Sequence, residues 1–404
     1  MTDSDACPPT AQRWILATLS LAMLMPSLDT SIANAGLPTL ARAFGATFPQ
    51  VQWVVLAYLL AITAAIVSAG RLGDLLGRGR LLAAGIALFT LASLACGLAP
   101  TLALLITARA LQGLGAAAML ALAMALVNET MPRNRTGSAM GVLGTMSAIG
   151  TTLGPSLGGV LMAGLGWRAI FLVNVPLGVV NLLLAWRWLP RPCPGPAAAR
   201  PRLDIPGTVL LASTLAAYAL AMTSHHFTLL AAAAAGAALF LLVERRSAAP
   251  LVRLAMLRDP ALVASLATSA LVATVIMTTL VVGPFYLSRS LGLPAAIVGL
   301  VLSAGPLVSA LTGAPAGRLV DRLGAARVGL AGLLGMLAGA GALASVPMRF
   351  GIPGYVGSVV VMTAGYASFQ AANNTALMSR IDAAQRGVAS GMLSLSRNLG
   401  LITG

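Results

Sequence analysis

The sequence uses one phrase twice: GRLGDLLGRGR at residues 70–80 is echoed by GRLVDRLGAAR at residues 317–327. Each copy is a short charged segment between long apolar runs. The copies start 247 residues apart in a strongly hydrophobic chain, which indicates a duplicated bundle of membrane helices. Duplicated bundles are a common architecture of membrane transporters. The repeat therefore predicts both an all-α membrane fold and a class of function.

The composition supports a polytopic membrane protein. Hydrophobic residues make up 58% of the chain and charged residues 9%, and the mean hydropathy is +0.91. These values lie far from those of an ordinary soluble domain. The net charge of +15 is spread over turns and not clustered on one face, so we expect no nucleic-acid partner.

Few features of the sequence indicate an enzyme or a cofactor-binding protein. The cysteines at positions 7, 96 and 193 have neither metal-ligand nor disulfide spacing, so we expect no metal site. A phosphate-binding Gly-x-x-x-x-Gly-Lys loop is absent from the sequence, as is the His-Glu-x-x-His pair of zinc proteases. We expect no cofactor and no enzymatic activity.

Thirteen apolar runs are long enough to cross a bilayer, which takes about 20 residues. They cover residues 14–37, 51–70, 81–99, 101–127, 137–165, 169–189, 206–223, 227–243, 260–287, 295–316, 327–347, 352–378 and 387 onward. With the N-terminus in the cytoplasm, nineteen arginines lie at inner loops and four at outer loops. The positive-inside rule therefore predicts a cytoplasmic N-terminus.

The runs predict three regions. A proline-rich segment at residues 190–196 cannot continue a helix and ends the first bundle. We expect a six-helix bundle at residues 1–190, a linker with two extra spanning helices at 191–250, and a second bundle at 251–404. Glycines of the fifth run recur 250 residues later and stop at Gly404, in mid-membrane by this count. We therefore expect the second bundle to be incomplete, with its last helix or so missing.

Two ionisable residues of the first bundle lie well inside apolar runs. They are Asp29 and Arg109, and Gln112 shares a helix face with Arg109 at position i+3. A charge at a helix centre costs about 2.5–3.5 kcal/mol on insertion scales, so such groups are expected to be paired or functional. An alternative for Asp29 is a hydrated position near the outer mouth.

Two patterns, one of small residues and one of polar residues, mark helix faces that could take part in function. The fifth run carries small residues spaced to bring a neighbouring helix close, although close packing alone would also explain them. A stripe on the twelfth run could line a cavity or could form only interhelical hydrogen bonds. The first set is Gly150, Gly154, Pro155, Gly158 and Gly159, and the second is Tyr366, Gln370, Asn373 and Asn374.

Together these motifs resemble the major facilitator superfamily. The resemblance rests on the turn at 70–80, on RALQGLG at 109–115 and on the Gly-Pro-Gly-Gly pattern at 150–159, which resembles the version found in antiporters. LDTSIANAGLP at 28–38 and WRAIFLVNVPLG at 167–178 are similar to the fourteen-helix drug/proton antiporter branch. The resemblance extends over essentially the whole chain.

The resemblance implies a fold, a mechanism and roles for residues. The fold would be two six-helix bundles with two extra helices between them. The charged turns would form a latch between the halves, although simple topology control would also explain their arginines. In the second turn Ala325 and Ala326 replace Arg78 and Gly79 of the first, a departure from the pattern. The latch residues would be Gly70, Arg71, Gly73, Asp74, Gly77, Arg78, Arg80 and Asp321.

The expected function is export of hydrophobic or cationic drugs or antibiotics, exchanged for protons by alternating access. Asp29 would carry the proton or bind a cationic substrate. Arg109 would change the affinity of Asp29 for a proton, or act on the protonation-linked partners of Asp29, as the bundle rearranges. The partners would be the substrate, protons and the bilayer of a bacterial inner membrane, and the protein would be a monomer. One alternative is a dedicated exporter of a single metabolite or endogenous antibiotic. A remote alternative is a non-transporting membrane sensor.

Overall fold

The computed structural model describes residues 9–131, 136–189, 205–224, 227–246, 258–380 and 386–404. Within these ranges the chain is helical apart from short connections, and no strand occurs. The helices are α1 (Pro9–Phe44), α2 (Phe48–Leu76), α3 (Arg78–Leu98), α4 (Leu102–Thr130), α5 (Thr136–Leu165), α6 (Ala169–Leu172), α7 (Asn174–Trp188), α8 (Ile205–Ser224), α9 (Phe227–Arg246), α10 (Pro260–Phe285), α11 (Ala295–Leu302), α12 (Ala304–Leu323), α13 (Ala325–Arg380) and α14 (Arg386–Thr403).

The helices fit the predicted membrane spans. In the described part of the chain, eleven helices are long and apolar enough to cross a bilayer. The apolar segment of α8, Pro206–Met222, is shorter. Each run predicted from the sequence overlaps a helix, and the last run coincides with α14. The prediction of an all-α polytopic membrane protein is confirmed.

Glycines with a positive φ make the sharp connections. Gly77 has φ 93° and separates α2 from α3 within the charged turn. Gly351, with φ 56°, interrupts α13 and divides its 56 residues into the two spans expected from the sequence. L-amino acids with a side chain rarely adopt this conformation, so these positions favour glycine.

The chain forms two compact units. The first contains Met1–Asp29, Leu40–Gly150 and Gly166–Val252, and the second contains Thr30–Thr39, Thr151–Leu165 and Arg253–Gly404. In the first unit α4 packs against both α2 and α3, and α8 packs against α9 and α2. In the second unit α12 packs against α13, and α10 packs against α14.

Glycines on α4 bring its neighbours close in the first unit. A Cβ atom added to Gly113 would lie 2.5 Å from the carbonyl oxygen of Tyr58 on α2. A Cβ atom added to Gly115 would lie 2.7 Å from the amide nitrogen of Phe89 on α3. Real Cβ atoms do not approach so closely. These glycines let α4 bring Arg109, one turn away, into the centre of the unit.

Candidate functional site

The first unit encloses an ion pair between Asp29 of α1 and Arg109 of α4. The side chain of Asp29 is 1% exposed and that of Arg109 is 0% exposed. Asp29 is thus shielded within the unit, unlike the alternative of a hydrated residue near the mouth. The two residues that sequence reasoning singled out, 80 positions apart, meet in space.

Three donors surround the Asp29 carboxylate. Its Oδ2 atom accepts a hydrogen bond from Nη1 of Arg109. Its Oδ1 atom accepts from Nε2 of Gln112 at 2.9 Å and from Nδ2 of Asn174 at 2.7 Å. An ionised carboxylate matches this arrangement because it only accepts hydrogen bonds, and every one of these neighbours donates.

Arg109 is fixed by groups on four sides. Its Nε donates to the carbonyl oxygen of Val54 at 2.9 Å, and its Nη1 donates to Oε1 of Gln112 at 2.6 Å. The guanidinium carbon lies 4.2 Å from the ring centroid of Tyr58 and 5.7 Å from that of Phe171. A desolvated cation over an aromatic face gains about 2 kcal/mol. The rings therefore help to stabilise a charge that is removed from water.

Gln112 extends the network to α3. Its Nε2 donates to Oγ of Ser93 at 2.8 Å, and its Oε1 lies 3.7 Å from Sγ of Cys96. The cluster therefore joins side chains of α1, α3, α4 and α7, together with the backbone of α2. Since all of them belong to the first unit, a change of charge at Asp29 would affect the packing of five helices at once.

Sequence reasoning missed part of this cluster. Asn174 and Ser93 are 0% exposed and Tyr58 is 0% exposed, yet none was a candidate site residue. Asn174 stands in the motif at 167–178 that carries the resemblance, and this was the one available signal. The ring of Tyr58 lies against the guanidinium of Arg109.

Within the first unit, Gly150 of α5 contacts α1. A Cβ atom added to Gly150 would lie 2.6 Å from the carbonyl oxygen of Leu24. One turn earlier, the Oγ atoms of Ser27 and Ser147 are hydrogen-bonded at 2.6 Å. This contact has no room for a side chain at residue 150.

Within the second unit, the other small residues of α5 face two neighbours. A Cβ atom on Gly154 would clash with Ser31, and one on Gly158 would lie 3.1 Å from Cγ2 of Ile32. A Cβ atom on Gly159 would lie 2.7 Å from the carbonyl oxygen of Ala295 on α11. Pro155 also faces α11, since a Cβ atom on Gly299 would clash with its carbonyl oxygen. The predicted small-residue face is therefore a tightly packed contact.

The charged turns are described only in part. The side chains of Arg71, Asp74 and Asp321 lie outside the described residues. Nη1 of Arg78 lies 3.7 Å from Oε2 of Glu129, and the two side chains are 32% and 55% exposed. An exposed pair at this distance contributes at most about 1 kcal/mol. The amide of Gly77 donates a hydrogen bond to the carbonyl oxygen of Gly73 at 2.9 Å, and this bond caps the C-terminal end of α2.

Two further residues of the predicted latch are Gly70 and Arg80. A Cβ atom added to Gly70 would meet nothing within 4 Å, so close packing does not require glycine there. The side chain of Arg80 is exposed.

The polar stripe on α13 is used partly for helix packing. Oδ1 of Asn373 accepts a hydrogen bond from Oγ of Ser265 at 2.7 Å, and Nδ2 of Asn373 donates to the Ser265 carbonyl at 3.3 Å. Tyr366 packs beside a cluster of Val272, Met336 and Phe369. Gln370 is half-buried and Asn374 is exposed. For Asn373 the contacts match the interhelical alternative.

One buried acid was not expected from the sequence. Glu244, near the end of α9, is only 2% exposed. Its neighbours Arg245 and Arg246 are exposed, so the sequence indicated the end of a helix and gave no sign of burial. In the described part of the chain, no group of three or more His, Cys, Asp or Glu residues is placed to hold a metal ion.

Comparisons with known proteins agree with this architecture. The multidrug resistance protein Stp of Mycobacterium tuberculosis is 34% identical over 96% of this chain and 74% of its own length. The riboflavin transporter RibZ of Clostridioides difficile is 29% identical over 97% of this chain and 87% of its own. A crystal structure of a bacterial homologue of the lysosomal transporter Spinster superposes with a TM-score of 0.69, at 17% identity, over 98% of this chain and 82% of the other.

The family assignment rests on nearly the whole sequence. Residues 19–404 match the Major Facilitator Superfamily. The helical fold, its apolar spans and the relatives agree with that match. The chain is a multi-pass membrane transporter and belongs to the Major Facilitator Superfamily.

Proposed function

We propose that this transporter exports hydrophobic or cationic small molecules in exchange for protons, as in the fourteen-helix drug/proton antiporter branch. The observation that carries the proposal is the buried pair of Asp29 and Arg109. In a membrane protein, a buried ionisable group is expensive and is a functional-site hypothesis by default. Asp29 is the proton-carrying group, and Arg109 is its resting partner.

Protonation of Asp29 would act as a switch because it removes the negative charge from a paired site. Arg109 would then be a buried cation without its counter-charge. Breaking a buried ion pair by loss of one partner costs about 3–5 kcal/mol. At 1.4 kcal/mol per tenfold change, this cost shifts the equilibrium between two arrangements by a factor of about 100 to 4,000. One proton at Asp29 is therefore enough to favour a different packing of the unit.

The membrane potential can supply the driving force. A charge that crosses the field contributes about 2.3 kcal/mol per 100 mV. One or two protons thus support a substrate gradient of about tenfold to a thousandfold. On this proposal the glycine face of α5 and the charged turns carry the rearrangement, and the N-terminus lies in the cytoplasm of a bacterial cell with the protein in its inner membrane.

The central test replaces Asp29 by Asn. The amide keeps the size of the side chain but cannot take up and release a proton, so we expect proton-coupled efflux to be lost. Asp29→Glu keeps the charge and should retain part of the activity. The measurement is substrate-induced proton movement and dye efflux in proteoliposomes with an imposed pH gradient.

A matched control is Asp259→Asn. Asp259 is exposed and caps α10 through a hydrogen bond from the amide of Ala261 at 2.9 Å, a role that Asn also performs. We expect this variant to transport like the wild type. Undiminished proton-coupled efflux in Asp29→Asn, with normal membrane abundance, would exclude Asp29 as the coupling group.

A second candidate is an exporter dedicated to one metabolite. It is favoured by the similarity to RibZ, whose name assigns it riboflavin, whereas Stp is named for multidrug resistance. Expression in a host without its own pumps separates the candidates. Broad export raises resistance to several unrelated hydrophobic cations, whereas a dedicated exporter changes the accumulation of one compound and leaves the drug panel unchanged.

A further inference from the structure

A groove of about 360 Å³ lies beside α8 in the first unit and shares no lining residue with the Asp29 cluster. Its walls come from α2, α3, α4 and α8, and ten of its twelve lining residues are apolar or glycine. The larger lining side chains include Leu72, Leu81, Leu88 and Val209. This surface would hold a flexible hydrocarbon group.

The polar contact in the groove joins α2 to α8. Oγ of Ser68 and Oγ1 of Thr208 are hydrogen-bonded at 2.6 Å, and both residues line the groove. A hydroxyl pair already bonded to each other presents little that would recognise a polar ligand. The selectivity of the groove must therefore come from its ends and its size.

Basic residues lie at one end of the groove. On α3, Arg80, Ala84 and Leu88 follow each other at intervals of four residues and share one face. Ala84 and Leu88 line the groove, and Arg80 is exposed one turn below them. Arg78 lies one turn below Leu81 in the same way, and its guanidinium is 3.7 Å from Glu129. On the topology proposed above, this end lies at the cytoplasmic face of the membrane.

The length of the groove fits one leaflet. Leu81 to Leu88 spans about 10 Å of helix rise, within the roughly 15 Å of hydrocarbon in half of a 30 Å core. A volume of 360 Å³ is at the small end for a ligand pocket. It suits one acyl chain and not a whole phospholipid.

From these observations we propose that the groove between α8 and the α2–α4 packing binds an anionic phospholipid of the inner leaflet. One acyl chain lies in the groove, and the phosphate lies beside Arg80 and Arg78. Arginines at the mouth of the groove favour an anionic amphiphile. They disfavour a cationic substrate, because they would repel its positive charge. Basic pockets between helices at the cytoplasmic face commonly recognise acidic headgroups.

Native mass spectrometry of the purified full chain tests the site, with phosphatidylglycerol as the probe. Phosphatidylcholine with the same acyl chains controls for headgroup charge, and lysophosphatidylglycerol controls for the number of chains. We expect wild-type protein to retain both phosphatidylglycerol and its single-chain form at least about fivefold better than phosphatidylcholine. Inorganic phosphate alone should not displace them.

Variants locate the lipid. Ala84→Trp and Val209→Trp fill the groove from α3 and from α8, so a folding defect in one does not decide the outcome. Arg80→Gln removes the exposed charge. We expect each to lower phosphatidylglycerol retention at least about fivefold. Leu91→Trp, at an exposed position outside the groove, and Arg322→Gln, an exposed arginine of the second unit, should bind like the wild type.

Any of three results would overturn the proposal. The first two are equal retention of phosphatidylglycerol and phosphatidylcholine, and wild-type retention in both groove-filling variants. The third is displacement of phosphatidylglycerol by tetraphenylphosphonium together with loss of tetraphenylphosphonium binding in Ala84→Trp, which would make the groove an entry site for cations. Because lipid retention is measured without transport, the outcome does not depend on the role of Asp29.

Discussion

At the residue scale, Arg109 contributes geometry as well as charge. Its Nε and Nη1 atoms donate to Val54, Asp29 and Gln112, and its plane lies over Tyr58. Lysine has one nitrogen on a flexible stem, and it cannot reproduce a fixed fork that also stacks on a ring. The site therefore depends on arginine and not merely on a positive charge.

We predict that Arg109→Lys retains membrane insertion but loses most of its export activity. Hydrogen bonds to charged groups contribute about 1.5–3 kcal/mol each, so loss of the fork should also lower the thermal midpoint of the purified protein. The measurements are dye efflux and thermal unfolding, with Arg322→Lys as the control because Arg322 is exposed at the end of α12. Wild-type efflux and an unchanged midpoint in Arg109→Lys would mean that charge alone is enough.

How much of this site the sequence predicts depends on how rare each residue type is in an apolar run. Asp29 and Arg109 are conspicuous there, and the i+3 spacing adds Gln112 to the same face. Asn174 and Ser93 carry no such signal, because amides and hydroxyls occur in many membrane helices for packing alone. Their roles depend on which helices are neighbours and in what register, and a linear pattern does not contain that information.

At the scale of the element, α5 combines two kinds of glycine. A Cβ atom at Gly154 would clash with Ser31 on α1, whereas one at Gly144 would meet nothing within 4 Å. Both positions lie in the same helix, so they share helix propensity and differ in their surroundings. Spacing in the sequence cannot separate them, since only the structure indicates which face is covered.

These surroundings predict opposite effects for the same substitution. Gly144→Ala should leave export unchanged and stabilise the helix by up to about 1 kcal/mol, because alanine loses less backbone entropy. Gly154→Ala should lower the thermal midpoint and slow efflux, since Ser31 has a short side chain that cannot fold away. Gly154→Leu and Gly158→Leu should abolish export at near-normal membrane abundance. Equal behaviour of the two alanine variants in efflux and thermal unfolding would contradict a packed contact at residue 154.

At the scale of the whole molecule, the helices and their connections agree closely with the sequence. Apolar runs predict the spans because a backbone in lipid must satisfy its hydrogen bonds within each helix. The break in α13 at Gly351 falls between two predicted runs that would otherwise read as one long helix. Residues 30–39 of α1 and 151–165 of α5 group with the second unit, and the linear succession of apolar runs does not contain this information. Such a grouping depends on contacts between distant residues.

The arginine distribution makes a prediction about orientation in the membrane. Nineteen arginines at one set of loops and four at the other strongly favour a cytoplasmic N-terminus. Cysteine labelling tests this in intact cells. Cys96 is 0% exposed, so a background with Cys7→Ser and Cys193→Ser should react little with a membrane-impermeant maleimide. Into it we would place Ala43→Cys, exposed at the end of α1, or Arg246→Cys, exposed at the end of α9.

We expect Ala43→Cys to be labelled in intact cells and Arg246→Cys only after permeabilisation. An odd number of spans precedes residue 43 and an even number precedes residue 246, so the two sites must lie on opposite sides whichever way the protein inserts. Labelling of both from outside would contradict the count of spans. Labelling of Arg246→Cys alone would show that the topology is the reverse of the one predicted. The basic end of the groove beside α8 would then lie at the outer leaflet. The same experiment therefore decides which leaflet supplies the lipid.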